Sequence, residues 1–265
     1  MKDRHDPRLL EELSACAHAL ADAARPATLA HFRTGTRAES KDGSGFDPVT
    51  EGDRSAERAM RTTLERLRPE DGILGEEFGA RAGTTGLTWV LDPIDGTRAY
   101  LAGAPTWGVL VAVSDDDGPI LGLIDQPFIK ERFFGGPESA QVDGPHGTAP
   151  LVCRGPRPLS DAILMTTFPE VGSPEEGAAF ARVATQARLT RYGLDCYAYA
   201  LLALGQIDLV IEAGLQAYDI QGPMAVVQAA GGIVTDWTGG PAHDGGRVIA
   251  AANADIHAEA MALLA

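Results

Sequence analysis

The chain has 265 residues, 45% of them hydrophobic, enough to bury one large core or two cores packed together. Its 22 Lys and Arg stand against 37 Asp and Glu, a formal charge of −15, so it lacks the basic face that a nucleic-acid partner requires. No apolar run approaches the roughly 20 residues of a membrane helix, and the first residues, Met1-Lys2-Asp3-Arg4-His5-Asp6, contain no apolar signal core. The three cysteines, Cys16, Cys153 and Cys196, are scattered and give neither a metal spacing nor a disulfide framework, which predicts a reduced compartment; with the N-terminus and the lack of a long apolar run, the expectation is a cytoplasmic protein with no membrane partner.

Residues 6–33 read as a helix: Leu9, Leu10, Leu13, Ala17, Leu20, Ala21, Ala24 and Phe32 fall near helical spacing, and Pro26 is expected to break or bend it. Residues 34–52, punctuated by Gly35, Gly43, Gly45 and Pro48, read as a loop long enough to be functional, on which Lys41 by itself is a surface lysine. Asp53 opens a helix to about Arg68 and suits its N-cap. Ile73 to Glu77 is a short strand with a polar end, where Glu76 and Glu77 face opposite ways. Residues 81–86 form a turn into the next strand.

Trp89-Val90-Leu91 has the residues of a buried strand; Pro93 then interrupts it, and Gly96-Thr97 reads as the entry to a helix whose first amides are free. Asp92 and Asp95 thus stand where a strand gives way to a helix, and the turn between them exposes the carbonyl of Ile94. Carboxylate and carbonyl oxygens suit a hard cation such as Mg²⁺, and free amides suit a phosphate. The plainer alternative is an Asp-Pro turn with a capping Asp.

Trp107 to Val113 and Pro119 to Ile124 read as a β-hairpin around Asp115-Asp116-Asp117-Gly118, a solvated turn without the twelve-residue pattern of a calcium loop. Phe128 to Phe134 supplies another strand. Residues 135–150, rich in Gly and Pro, read as a loop and domain boundary. Beyond them, strands near 162–167, 188–192, 207–212, 233–236 and 248–252 interleave with helices near 173–186, 195–205 and 220–230 and a final helix. The alternation predicts an α/β layered fold with an N-terminal α+β half, 1–145, and a C-terminal α/β half, 146–265.

The stretch from Trp89 to Tyr100, with Asp92-Pro93-Ile94-Asp95-Gly96-Thr97 at its centre, resembles the first signature of the inositol-monophosphatase-like family of Mg²⁺-dependent, lithium-sensitive phosphatases. Three further segments follow that family's order: Asp47-Pro48-Val49-Thr50-Glu51-Gly52-Asp53, then Gly75-Glu76-Glu77-Phe78-Gly79, then Tyr218-Asp219 with Ala229-Ala230-Gly231-Gly232. One position departs: Gln221, followed by Gly222-Pro223, stands where the family usually has a small or apolar residue. The resemblance implies a five-layer α-β-α-β-α sandwich of the sugar-phosphatase superfamily type, with the active site between its halves.

The same resemblance implies two or three Mg²⁺ ions. A first would be held by Glu76, Asp92 and the Ile94 carbonyl, a second by Asp92, Asp95 and Asp219, and Lys41 would lie on a loop that closes a third site. Asp53, Thr97 and Glu76 would be catalytic, Asp53 and Thr97 orienting and deprotonating the attacking water, while the amides of Gly96 and Thr97 would hold phosphate oxygens. Cations would also reverse the field of an acidic protein that otherwise repels a phosphate ester. No histidine is required, and His5, His18, His31, His146, His243 and His257 lie outside every motif. A homodimer is the family habit.

The run from Tyr192 to Asp219 resembles the family's histidinol-phosphatase branch, through Gly193-Leu194-Asp195-Cys196-Tyr197-Ala198-Tyr199-Ala200 and Ile207-Asp208-Leu209-Val210-Ile211-Glu212. Histidinol phosphate carries an amine, for which Asp195 and Glu212 supply carboxylates beside Gly193. On the residues alone, Asp195 also suits a helix N-cap and Glu212 a surface acid at a sheet end. The expectation is a histidinol-phosphate phosphatase of histidine biosynthesis acting on a small phosphorylated metabolite. An inositol monophosphatase or broad-specificity phosphatase is the alternative, and a non-catalytic relative that binds a phosphorylated metabolite is the alternative of a different class.

Overall fold

The computed structural model describes residues 6–35, 39–40 and 48–265, so the expectations for Lys41 and Asp47 lie outside the described residues. In chain order the elements are α1 (Pro7–His31), β1 (Glu39–Ser40), β2 (Pro48–Val49), α2 (Glu51–Leu67), β3 (Gly72–Gly75), β4 (Gly79–Arg81), β5 (Thr88–Asp95), α3 (Thr97–Ala102), β6 (Gly108–Asp115), β7 (Gly118–Gln126), β8 (Glu131–Gly136), β9 (Ser139–Gly144) and β10 (Gly147–Pro150). After a 3-10 turn at Leu159–Asp161 come β11 (Ile163–Thr166), α4 (Pro174–Ala184), β12 (Leu189–Tyr192), α5 (Cys196–Ala203), β13 (Leu209–Leu215), α6 (Ala217–Ala229), β14 (Ile233–Asp236), β15 (Gly246–Ala251) and α7 (Ala254–Leu264).

Eight strands form one sheet in the order β10-β9-β8-β7-β6-β5-β3-β4, and five form another in the order β12-β11-β13-β15-β14. Side chains alternate between the faces of each strand, and the alternation builds the layers. Val109, Val111, Leu121, Leu123 and Phe134 face α1 and α2. Leu110, Ile124 and Phe133 face the other way, onto α5 and α6, whose far side packs on Val210, Val248 and Ala250 of the smaller sheet. Leu164, Leu209, Ile211 and Ile249 project outward onto α4 and α7. The order of layers is α1/α2, large sheet, α5/α6, small sheet, α4/α7: the expected five-layer sandwich.

The central layer is thin because glycine lets helix backbone meet strand backbone. A Cβ on Gly135 would lie 2.5 Å from the Cα of Val226, and one on Gly122 2.8 Å from the carbonyl of Gly222. Contacts of that kind exclude every side chain. They bring the N-terminal turn of α6 to the end of β5, which matters for the site.

Several expectations are corrected. Residues 135–150 are not a loop: β9 and β10 pair antiparallel there and extend the large sheet to its edge. The chain leaves that sheet after Pro150 and enters the smaller one at Ile163. Pro26 does not end α1, which runs on to His31. The stretch around it is anchored: Arg25 Nε and Nη2 grip the buried Asp125 at 2.8 and 2.6 Å, and the Tyr100 hydroxyl donates to the Thr28 carbonyl at 2.6 Å. Thr50, not Asp53, is the N-cap of α2. Residue 81 ends β4 instead of opening a turn. Finally, α6 begins at Ala217, earlier than expected, and contains Pro223. Gln221 is buried in it, paired with the hydroxyl of Ser114 and donating to the His243 carbonyl at 3.0 Å, so the departure from the family pattern is absorbed as a polar tie to β6. Among the described residues, no helix is long and apolar enough to cross a membrane.

Candidate active site

The site begins with a bulge in β5. Asp92 lies opposite Leu110 of β6 and Asp95 opposite Gly108, so Pro93 and Ile94 together face Val109 alone. On a regular strand, residues three apart point to opposite faces; one extra residue returns Asp95 to the side of Asp92. Pro93 has no N–H to lose from the ladder, which suits it to the slip. Ile94 N then donates to Asp92 Oδ1 at 3.0 Å, and the Ile94 carbonyl accepts from Thr97 Oγ1 at 3.2 Å. Gly96 turns the chain into α3 at φ +82°; a Cβ there would stand 2.9 Å from the carboxyl carbon of Asp195, so glycine serves both the turn and the close approach.

Asp219 arrives from the other half of the chain, on the first turn of α6, where its Oδ2 accepts from Gln216 N at 2.7 Å. Ligand oxygens of Asp92, Asp95 and Asp219 lie within 4.8 Å of one another. Glu76, in the turn between β3 and β4, shares a hydrogen bond with Asp92. Asp95 Oδ2 accepts from Cys196 N at 2.7 Å, which ties α5 to the end of β5. Of the residues expected to hold cations, the structure therefore brings Glu76, Asp92, Asp95 and Asp219 together, with the Ile94 carbonyl on the same turn.

The carboxylates resist ionisation. Burial, followed by the charges of Glu76, Asp95 and Asp219, holds Asp92 well above the usual carboxylate range. Burial, followed by Asp195 and Asp219, does the same to Asp95. Like charges this close, out of water, favour protons or a cation between them. A donor set made of oxygen alone fits a hard divalent cation.

Asp53 lies on the α2 side. Its Oδ2 accepts from Thr50 N at 2.7 Å and Thr50 Oγ1 at 2.5 Å, yet burial, reinforced by Glu76 and Glu77, outweighs those bonds and pushes its pKa up to about 6. In this structure the hydrogen bonds of Asp53 and of Thr97 run to Thr50 and to Ile94, not to each other.

The residues expected to meet the rest of a substrate form a second group beside the first. Glu212 is no surface acid: it is buried in β13, accepting from Thr166 Oγ1 at 3.1 Å, Thr167 N at 2.7 Å and Thr167 Oγ1 at 2.9 Å. Burial still outweighs these three donors and raises its pKa to about 7. Asp195 holds the N-cap position of α5, but its side chain makes no capping bond. Its backbone sits at φ 49°, ψ −138°, a conformation costing on the order of 1–3 kcal/mol in a residue other than glycine. Burial raises the Asp195 pKa to about 6, and the charge of Arg98 opposes that rise. Gly193 turns the chain just before it, its N–H directed at the carbonyls of Thr166 and Thr167.

Four residues of this region receive no role from the sequence, although Arg98 and Tyr199 lie within its motifs. The guanidinium of Arg98 lies 4.9 Å from the centre of the exposed Phe168 ring. Tyr199 follows Cys196 by one turn on α5, and its buried hydroxyl has no hydrogen-bond partner. Glu57 is wholly buried beneath the turn that carries Glu76. Glu57 looks ordinary in sequence because the amides it accepts from, on Glu77 and Phe78, lie 20 and 21 residues away.

A pH dependence follows. Asp53, Asp195 and Glu212 have pKa values of about 6, 6 and 7 against ordinary values of 3.8, 3.8 and 4.5, so between about pH 4 and 7 the native metal-free protein holds more protons than the unfolded chain. Stability must then fall as pH rises through that window. Between pH 5 and pH 8 the melting temperature of metal-free protein is expected to drop by about 5 °C or more. Mg²⁺ should raise it more at pH 8, where protons no longer compete for the oxygens. Differential scanning calorimetry at both pH values, with chelator and with Mg²⁺, checks the sign.

The model of the inositol monophosphatase family matches residues 9–265. The chain is 39% identical over 264 residues to the bifunctional phosphatase IMPL2 of Arabidopsis thaliana, covering 95% of this chain and 75% of that one. It is 34% identical to the histidinol-phosphatase of Streptomyces coelicolor, over 97% of this chain and 98% of that one. A solved inositol monophosphatase from Zymomonas mobilis superposes with a TM-score of 0.84 at 38% identity, over 96% of this chain and 98% of that one. With the signature segments in order, the layers in place and the acidic cluster assembled at the end of β5, the chain belongs to the inositol monophosphatase family.

Proposed function

We propose that this family phosphatase hydrolyses a phosphate monoester whose alcohol carries a cationic amine, with histidinol phosphate as the favoured ester. The observation that carries the reading is the second pair of acids: Asp195 and Glu212 are largely withdrawn from water beside the Asp92–Asp95–Asp219 cluster. Cations at the cluster would account for one set of charges; a cationic substrate group would account for the other. The names of relatives agree in part, since the Streptomyces coelicolor protein is a histidinol-phosphatase. The second reading is an inositol phosphate, favoured by the likeness to the Zymomonas mobilis enzyme.

The family depends on Mg²⁺, and here Glu76, Asp92 and the Ile94 carbonyl would hold one ion, with Asp92, Asp95 and Asp219 holding another. Bound there, divalent cations supply neutralising charge and a lower pKa for water. The chain's own groups do the rest. The amides of Gly96 and Thr97 would hold the phosphate oxygens; α3 has only six residues, so the individual N–H groups matter more than any helix dipole. Asp53, with a pKa of about 6, accepts a proton from the attacking water near neutral pH, and the Thr97 hydroxyl orients that water. Asp195 and Glu212 orient the alcohol that leaves. The intact acid set argues against a non-catalytic binding relative.

The test is a comparison of kcat/KM for histidinol phosphate, inositol 1-phosphate and glycerol phosphate at one Mg²⁺ concentration. Preference for histidinol phosphate by at least about tenfold is expected from one charge-assisted contact. Preference for inositol 1-phosphate would replace the proposal by the second reading.

A further inference from the structure

We infer that Glu57 and Arg61, one turn apart on α2, are positioning residues that set the cation affinity of the acidic cluster by clamping the turn that carries Glu76. The inference rests on the proposal that Glu76 is a metal ligand.

The turn from Gly75 to Gly79 is held from two sides. On one side, Glu76 N donates to the carbonyl of Leu91 at 3.2 Å, one residue before Asp92 on β5. On the other, Glu57 Oε2 accepts from Glu77 N at 2.7 Å and Glu57 Oε1 from Phe78 N at 3.3 Å. Arg61 completes the clamp: its Nε donates to Glu57 Oε1 at 2.7 Å and its Nη2 to the Gly79 carbonyl at 2.5 Å. The carboxylate is fully buried, and a Cβ on Gly75 would fall 2.0 Å from Glu57 Oε1, so the residue before Glu76 has to be glycine for the clamp to exist.

Burying a carboxylate is costly unless it is paired and fully hydrogen-bonded. The turn itself reaches the surface at Phe78 and Gly79, yet its amides are directed inward to a buried carboxylate. What the clamp adds is fixity. It joins the backbone of the cluster's most peripheral carboxylate to α2, the same helix whose first turn carries Asp53. A ligand must be held to within about 0.5 Å for its contact to count, and loss of a supporting partner typically weakens metal binding or activity by about 10–100-fold.

The experiment is Mn²⁺ binding followed by electron paramagnetic resonance, beside Mg²⁺ titration of phosphate release, in wild type and Glu57→Gln. Glutamine keeps the size but turns one acceptor into a donor facing donors. The Mn²⁺ Kd and the half-saturating Mg²⁺ concentration are expected to rise together by about 10–100-fold, with kcat at saturating Mg²⁺ within about twofold of wild type. A clamp that only stabilises the fold would lower the melting temperature and leave Kd unchanged; that result overturns the inference. Should Glu57→Gln fail to fold, Arg61→Lys decides: it keeps the charge pair but loses the fork to Gly79, and a smaller rise in Mn²⁺ Kd is expected where an unchanged Kd would count against the clamp. Wild type that binds no Mn²⁺ would instead remove the metal reading itself.

Discussion

Replacing Asp92 by asparagine is expected to slow phosphate release by about a thousandfold or more while raising the melting temperature of the metal-free protein. The two effects have one cause. Asp92 is buried, and Glu76, Asp95 and Asp219 all oppose its charge. Asparagine has the same size and can still accept the Ile94 N–H that Asp92 Oδ1 accepts. It removes a buried repulsion, so the folded state gains. The same charge would bridge both cations, and charge stabilisation of that kind contributes several kcal/mol to a transition state, with about 1.4 kcal/mol per factor of ten. A plain Asp-Pro turn predicts the reverse: an unchanged rate and a lower melting temperature. Steady-state rates at saturating Mg²⁺ and melting curves in chelator separate the two.

Asp195→Asn is expected to cut kcat/KM for histidinol phosphate by about 10–100-fold while changing that for glycerol phosphate by less than about threefold. A hydrogen bond to a charged group is worth about 1.5–3 kcal/mol, and a site built to pair a charge discriminates against analogues lacking it. The side chain is positioned for such a role. It makes no capping bond to α5, its backbone is held in an unfavourable conformation, and it packs against Gly96 at the end of the cluster strand. Arg98 already offsets part of its charge, which sets the lower end of the expected range. Equal losses on both esters would make Asp195 a structural residue of the Gly96 turn.

Much of this was legible in the chain because the chemistry is concentrated in short segments. Asp92, Pro93, Asp95 and Gly96 announce an irregularity near the end of a strand, which the structure realises as a bulge within β5, together with a pair of oxygens and a helix start, and the order of the other signatures brings Glu76 and Asp219 to the same place. Periodicity also revealed most helices and the β6–β7 hairpin. What failed has a common reason. The edge strand β10 is fully exposed and has no apolar alternation, and β9 beside it carries only Ala140 and Val142 as an apolar pair, too short a pattern to stand out among the Gly and Pro of the flanking turns. Pro26 is expected from the sequence to break or bend α1, and the helix runs through it because the grips of Arg25 on Asp125 and of Tyr100 on Thr28, 100 and 72 residues away in sequence, hold the stretch in place. On the residues alone Glu212 also suits a surface acid, because the three donors that hold it buried belong to another strand's end. Glu57 falls at helical spacing on the buried face of α2 with Ala56, Met60 and Leu64, but the amides that make it a clamp come from the turn after β3. Asp53 fits an N-cap as well as Thr50 does; the choice between them was made by where the backbone turned.

The cation dependence of the site is tested most directly by phosphate release from histidinol phosphate by one preparation, assayed after exhaustive chelation and again after Mg²⁺ is restored. Activity is expected to fall to background without the cation and to return in full with it. Undiminished turnover by the chelated protein would contradict that dependence, because Asp92, Asp95 and Asp219 would then be gathered for some other purpose.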